Sequence, residues 1–121
     1  MSSEESDLGN FLTVQDIEHI DSTDLSALER HHVRLLAHCL ETFKQIENGA
    51  STGSIPNKKR QMTWLLQQKK LSQDKQFLSV LLEQLEVARV QLEKIASSLN
   101  TLPLELTIDD LIQFNSSHRH D

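Results

Sequence analysis

The side chains with the most chemical potential in this sequence gather between residues 29 and 39. His31, His32 and His38 fall there with Glu29 and with Cys39, the only cysteine among 121 residues. Glu29-x-x-His32 has the i, i+3 spacing with which helical bundles hold paired metal ions. Such a site needs a second Glu-x-x-His on another helix and two further inward carboxylates. Glu83, Glu86 and Glu93 occur downstream, but no histidine accompanies them, so ordinary surface histidines explain the motif more simply. Cys39 has no histidine at i±3 or i±4 to complete a zinc-ligand pair. It sits among Leu35, Leu36, Leu40 and Phe43, the setting of a buried thiol rather than of a nucleophile. His118-Arg119-His120 belongs to a polar end. With no Gly-rich phosphate loop and no Ser/His/Asp arrangement, the expectation is a protein that is not an enzyme and carries no metal or cofactor.

Two local resemblances bear on function. His31-His32-Val33-Arg34 is similar over four residues to histidine phosphotransfer domains, helical bundles of about this length in which an exposed His is followed by a basic residue and a Gly. Leu35 stands where that Gly should be. The second involves the segment 51–76, which carries six bases against one acid. A basic stretch leading into leucine heptads resembles basic-leucine-zipper proteins. Their DNA-reading helix has Asn and Arg at fixed spacing, whereas Leu65 stands eight residues after Asn57. Lys58, Lys59, Arg60, Lys69, Lys70 and Lys75, bracketing Trp64, therefore form a candidate anion or partner face. The plainer alternative is that these bases pair with the acidic first half of the chain.

Charge is unevenly spread: residues 1–50 carry −7, residues 51–76 carry +5 and residues 77–121 carry −4, within a formal net charge of −6. An acidic body with one basic insert is not a general nucleic-acid binder. The acidic, polar N-terminus is unlike a secretory or mitochondrial signal, a single cysteine allows no intrachain disulfide, and no apolar run reaches the ~18 residues of a membrane span. A cytoplasmic location is the default expectation.

The elements that must position these residues are helical. Three Gly and two Pro in the whole chain favour long helices over strands and turns. Residues 1–10 read as a disordered acidic N-terminus, followed by one helical domain over 11–114 and a disordered polar tail over 115–121. Thr13 is an expected N-cap, with Asp16 in the first turn, for a short helix from Val14 to about Ile20, and Phe11 and Leu12 are a candidate hydrophobic staple. The run Asp21–Asp24 is a second capping stretch. From it follows a long helix near 24–47 with an apolar stripe of Leu25, Leu28, His32, Leu35, Leu36, Cys39, Leu40, Phe43 and Ile46. Asn48-Gly49 should end it. Residues 48–57 form a loop, after which Ser54 or Asn57 caps a helix whose apolar face is Met62, Leu65 and Leu66.

Beyond an expected break between Lys70 and Gln73, with Ser72 as cap, the stretch 73–99 holds the most regular pattern of the chain. Leu78, Leu81, Leu85, Ala88, Leu92, Ile95 and Leu99 make an unbroken a/d seam over three heptads, the narrow stripe that left-handed helix packing requires. Pro103 should close this helix, and a Thr107 cap opens a last short helix over IDDLIQF.

The fold class expected is all-α: a helical bundle of two long antiparallel helices, a basic connecting helix and short terminal helices, with the seam helix at its centre. A narrow seam and few aromatics suggest a core too thin for an isolated monomer, hence a homodimer or another helical partner protein. The expected function is a non-catalytic interaction module: an adaptor, assembly or regulatory factor acting through helix surfaces. The alternatives are a nucleic-acid-associated regulator using 58–75 and a phosphotransfer-like bundle, and no membrane partner is expected.

Overall fold

In the computed structural model, residues 12–68 and 74–119 are described, the last three through their backbone alone. Among the described residues every regular element is helical, without strands, in the order α1 (Val14–Asp21), α2 (Ala27–Ile46), α3 (Lys58–Leu66), α4 (Lys75–Ser98), a 3-10 turn (Pro103–Glu105) and α5 (Ile108–Arg119). The expected disordered stretch 1–10, and Phe11 with it, lies outside the described residues.

Side-chain oxygens satisfy the first N–H groups of the helices. Thr13 and Asp16 exchange hydrogen bonds at 3.0 and 3.1 Å, a complete capping box at the start of α1. Ser26 and Glu29 do the same for α2 at 2.8 and 3.1 Å. The helix therefore begins at Ala27, not within the run Asp21–Asp24, because Asp21 still closes α1 and Ser26 has a carboxylate three residues on that reaches back to its own N–H. Glu29, half of the candidate metal motif, is thereby engaged as a cap. Thr107 and Asp110 close a third box on α5. Asn57 caps α3 by accepting from Arg60 N–H at 2.9 Å, which leaves Pro56 just ahead of the cap.

The two long helices end in the same way. Asn48 (φ 62°) follows α2 and Asn100 (φ 61°) follows α4. Gly49 N–H reaches Lys44 O at 2.7 Å and Asn48 N–H reaches Gln45 O at 3.0 Å; Thr101 N–H reaches Ala96 O and Asn100 N–H reaches Ser97 O at 3.0 and 3.2 Å. Both are Schellman closures, in which one left-handed residue turns the chain so that two orphan carbonyls are paired. Asn100, not Pro103, thus stops α4, and Pro103 instead opens the 3-10 turn. At the other end of α4 the cap is Asp74, accepting from Phe77 N–H at 2.9 Å. The expected Ser72 cap and the stretch from Lys70 to Gln73 lie outside the described residues. α5 continues past Phe114 to Arg119, through residues expected to begin a disordered tail.

The seam of α4 is filled from within the chain. Leu78, Leu85, Ala88, Leu92 and Ile95 are buried and Leu81 is half-buried, while Leu99, beyond the last helical residue, is 48% exposed and leaves the seam. These residues join one continuous cluster with Ile20 of α1, Val33, Leu36, Leu40 and Phe43 of α2, Leu65 of α3, Leu104 of the 3-10 turn and Leu111 of α5. Burying a side chain of this size stabilises by about 1.5–3 kcal/mol, so the cluster removes the reason for calling the core too thin. The hub is α2, not α4: it packs against α1, α3, α4, α5 and the 3-10 turn. The loop after α2 is tied to the 3-10 turn by Leu104 N–H bonded to Gly53 O at 3.0 Å, and by Thr52 donating to Glu105.

Candidate functional site

Periodicity alone puts Leu28, His32, Leu35 and Cys39 on the same stripe as Leu36, Leu40 and Phe43, but the structure divides them. Val33, Leu36, Ala37, Leu40 and Phe43 face the core; Leu28 is 78% exposed, Leu35 is 44% exposed, His32 is exposed and Cys39 is half-buried. At 100° per residue these are two adjoining lines on one helix, and among the described residues only the inner line is fully covered. α4 repeats the pattern. Its seam points inward, while Val80 and Val87, seven residues apart on another line, are 48% and 65% exposed.

The outer lines of the two helices face a shared open groove of about 900 Å³. Leu35, Leu36 and Cys39 line it from α2, and Val80, Leu82 and Val87 from α4. His32, Lys58, Glu83 and Glu86 supply its polar margin. Burial pushes the Cys39 thiol up to about 11, so the thiol contributes apolar surface and no nucleophile at neutral pH. Glu86 is bound by the Arg89 guanidinium, whose hydrogen bonds hold its carboxyl below the usual range with help from the Lys58 charge. Arg89 also reaches Glu93 at 2.7 Å. Glu83 has no ion pair among the described residues. Such a surface offers shape and apolar contact with a few charges for orientation, the chemistry of helix docking.

The basic segment is divided rather than assembled. Arg60 is clamped in a two-pronged ion pair to Glu47, at 3.1 and 3.0 Å, so one of its charges does pair with the acidic first half. Trp64 is half-buried against the core. Lys58 turns toward Glu86 and the groove, Lys59 is exposed on α3, and Lys75 is the exposed first residue of α4. Lys69 and Lys70 lie outside the described residues. The apolar face of α3 is also shifted: Gln61 and Leu65 are buried, whereas Met62 and Leu66 are exposed. Gln61 is tolerated inside because its amide donates to Pro56 O at 2.8 Å.

Among the described residues, no three His, Cys, Asp or Glu side chains converge as a metal set. His31 and His32 are exposed. His38 is half-buried with its Nδ1 lacking a hydrogen-bond partner, and desolvation, then the Arg34 charge, hold its pKa below the ordinary value. Among those residues no helix is long and apolar enough to cross a membrane. The groove went unseen in the sequence because its residues are the same types at the same spacings as the core. The one available signal was surplus: α2 has more apolar residues around its circumference than a single contact face needs.

Comparison with known proteins adds one finding. The family model described as NDH complex assembly factor CRR9 matches residues 12–120. No curated protein and no solved structure matches the chain.

Proposed function

The chain belongs to the NDH complex assembly factor CRR9 family, and from that premise we propose that it is a non-catalytic helical module in the assembly of the NDH complex, working through protein contacts on its helix surfaces. The observation that carries this reading is the groove between α2 and α4, whose walls expose Leu35, Val80 and Val87 without another helix over them among the described residues. Isolated exposed aliphatics need no explanation, but three lining one groove, with Leu28 exposed two turns before Leu35 on the same helix, mark an interaction surface. With Leu85, Leu92 and Ile95 enclosed by their own chain, the contacts to other proteins, self-association included, belong on this outer surface and not on the heptad seam.

The test is made in cells whose own copy is replaced by Leu35→Glu, with Val14→Glu as a control, since Val14 is exposed on α1 outside the groove. NDH complex abundance on native gels is expected to fall in the first and stay normal in the second, at equal levels of the folded chain. Normal abundance with Leu35→Glu would overturn the reading.

A further inference from the structure

The groove has two properties that narrow its occupant. The first is spacing. Val80 and Val87 on α4 are exposed knobs seven residues apart in the groove, and Leu35 on its α2 wall is matched by exposed Leu28 seven residues earlier, just beyond the groove. Knobs at that interval suit a helix pair crossing at a shallow angle, as in four-helix bundles. The second is charge. Lys58 lies at the Glu86 end of the groove, since both also line the adjoining cleft with Arg89 and Glu93. Glu83 lies one turn nearer the opposite end and has no ion pair among the described residues. A foreign helix flanked by one sign of charge satisfies only one of these two positions. A second copy related by a two-fold axis can satisfy both, because in an isologous contact a Lys58 set against the other copy's Glu83 is matched by the reciprocal pair.

We propose that a second copy of this chain occupies the groove, in a two-fold dimer that interleaves the Leu28/Leu35 and Val80/Val87 knobs and sets Lys58 of one protomer against Glu83 of the other. The inference rests on reading the groove as an interaction surface and names its partner. The face is small: the stretch Ser79–Gln91 is about 18 Å long at the helical rise. Dissociation in the micromolar range follows, because the contact falls toward the low end of specific interfaces.

The experiment measures the mass of the purified full chain by sedimentation equilibrium from 1 to 200 µM. Wild type is expected to pass from chain mass to twice chain mass, and Val87→Asp to remain at chain mass with unchanged helicity by circular dichroism. Glu83→Lys and Lys58→Glu are expected each to weaken the dimer about tenfold, and the two together to restore it to within about threefold of wild type. That rescue reports direct pairing of Lys58 with Glu83 between protomers. A wild type that stays at chain mass throughout, single swaps without effect, or a double swap that fails to rescue would each overturn the proposal. Mass of the isolated chain and NDH complex abundance in cells are separate readouts. A monomer whose Leu35→Glu variant still lowers complex abundance sinks the dimer and leaves the assembly reading standing; a groove dimer with normal complex abundance does the reverse.

Discussion

His19 Nε2 lies 2.6 Å from a carboxylate oxygen of Asp109, joining α1 to α5 across 90 positions of sequence. Both side chains are exposed, so water competes for the pair on every side. The latch orients the first and last helices more than it stabilises them.

His19→Gln and Asp109→Asn are each expected to lower stability by less than about 1 kcal/mol in urea unfolding, with an effect that shrinks as salt is raised. A larger, salt-independent loss would mean that the two helices depend on this contact for docking.

The two lines of α2 predict opposite sensitivities. Leu36→Ala, in the core, is expected to cost about 2–5 kcal/mol, because it removes buried surface and leaves a cavity. Leu28→Ala is expected to stay within about 0.5 kcal/mol in the isolated chain. Equal costs by chemical denaturation would show that the core face has been assigned wrongly.

Cys39 supplies a chemical probe of the groove wall. With the thiol raised from 9.0 to about 11 by burial, its thiolate fraction near neutral pH is lower by on the order of a hundredfold than in the unfolded chain. A thiol reagent should therefore modify it slowly in buffer and rapidly in denaturant. The linkage has a definite sign. Between pH 9 and about 11 the unfolded chain releases this proton more readily than the folded one, so stability falls as pH rises through that window. Reaction at the same rate in buffer and denaturant would refute the placement.

His38 works in the opposite pH range. Its pKa is lowered by desolvation and then by Arg34, so near and below 6.5 the unfolded chain binds the proton that the folded chain resists. Stability is thus full above that range and declines as pH falls through it. His38→Gln is expected to reduce the difference in Tm between pH 7.5 and pH 5.5, and the wild-type imidazole should titrate below 6.5 by NMR. An imidazole that titrates above 6.5 would contradict the burial described.

What the sequence by itself determined was local. Thr13 with Asp16, and Thr107, announce helix starts because the cap and the group that answers it lie within three residues of each other. Asn48-Gly49 announces a stop because one left-handed residue suffices to close a helix. The heptads of α4 announce a buried line because seven-residue spacing keeps Leu78, Leu85 and Leu92 on one side of any helix they form. The all-helical class follows from these. Tertiary structure decided everything that depends on which neighbour arrives. A stripe of Leu at three- and four-residue spacings does not say whether Val33 or Leu28 meets the core, since both lines satisfy the same period and differ only in what packs over them. It does not say that α4's seam is closed by its own chain, which depends on α2, α5 and the 3-10 turn converging from distant positions. Nor does it say that Arg60 finds Glu47 while Lys58 turns to the groove, because consecutive residues on a helix point in different directions and charge pairing is set by the surface each one faces. The groove between α2 and α4 exists only once those faces are assigned: it is the apolar surface left over when the core is full.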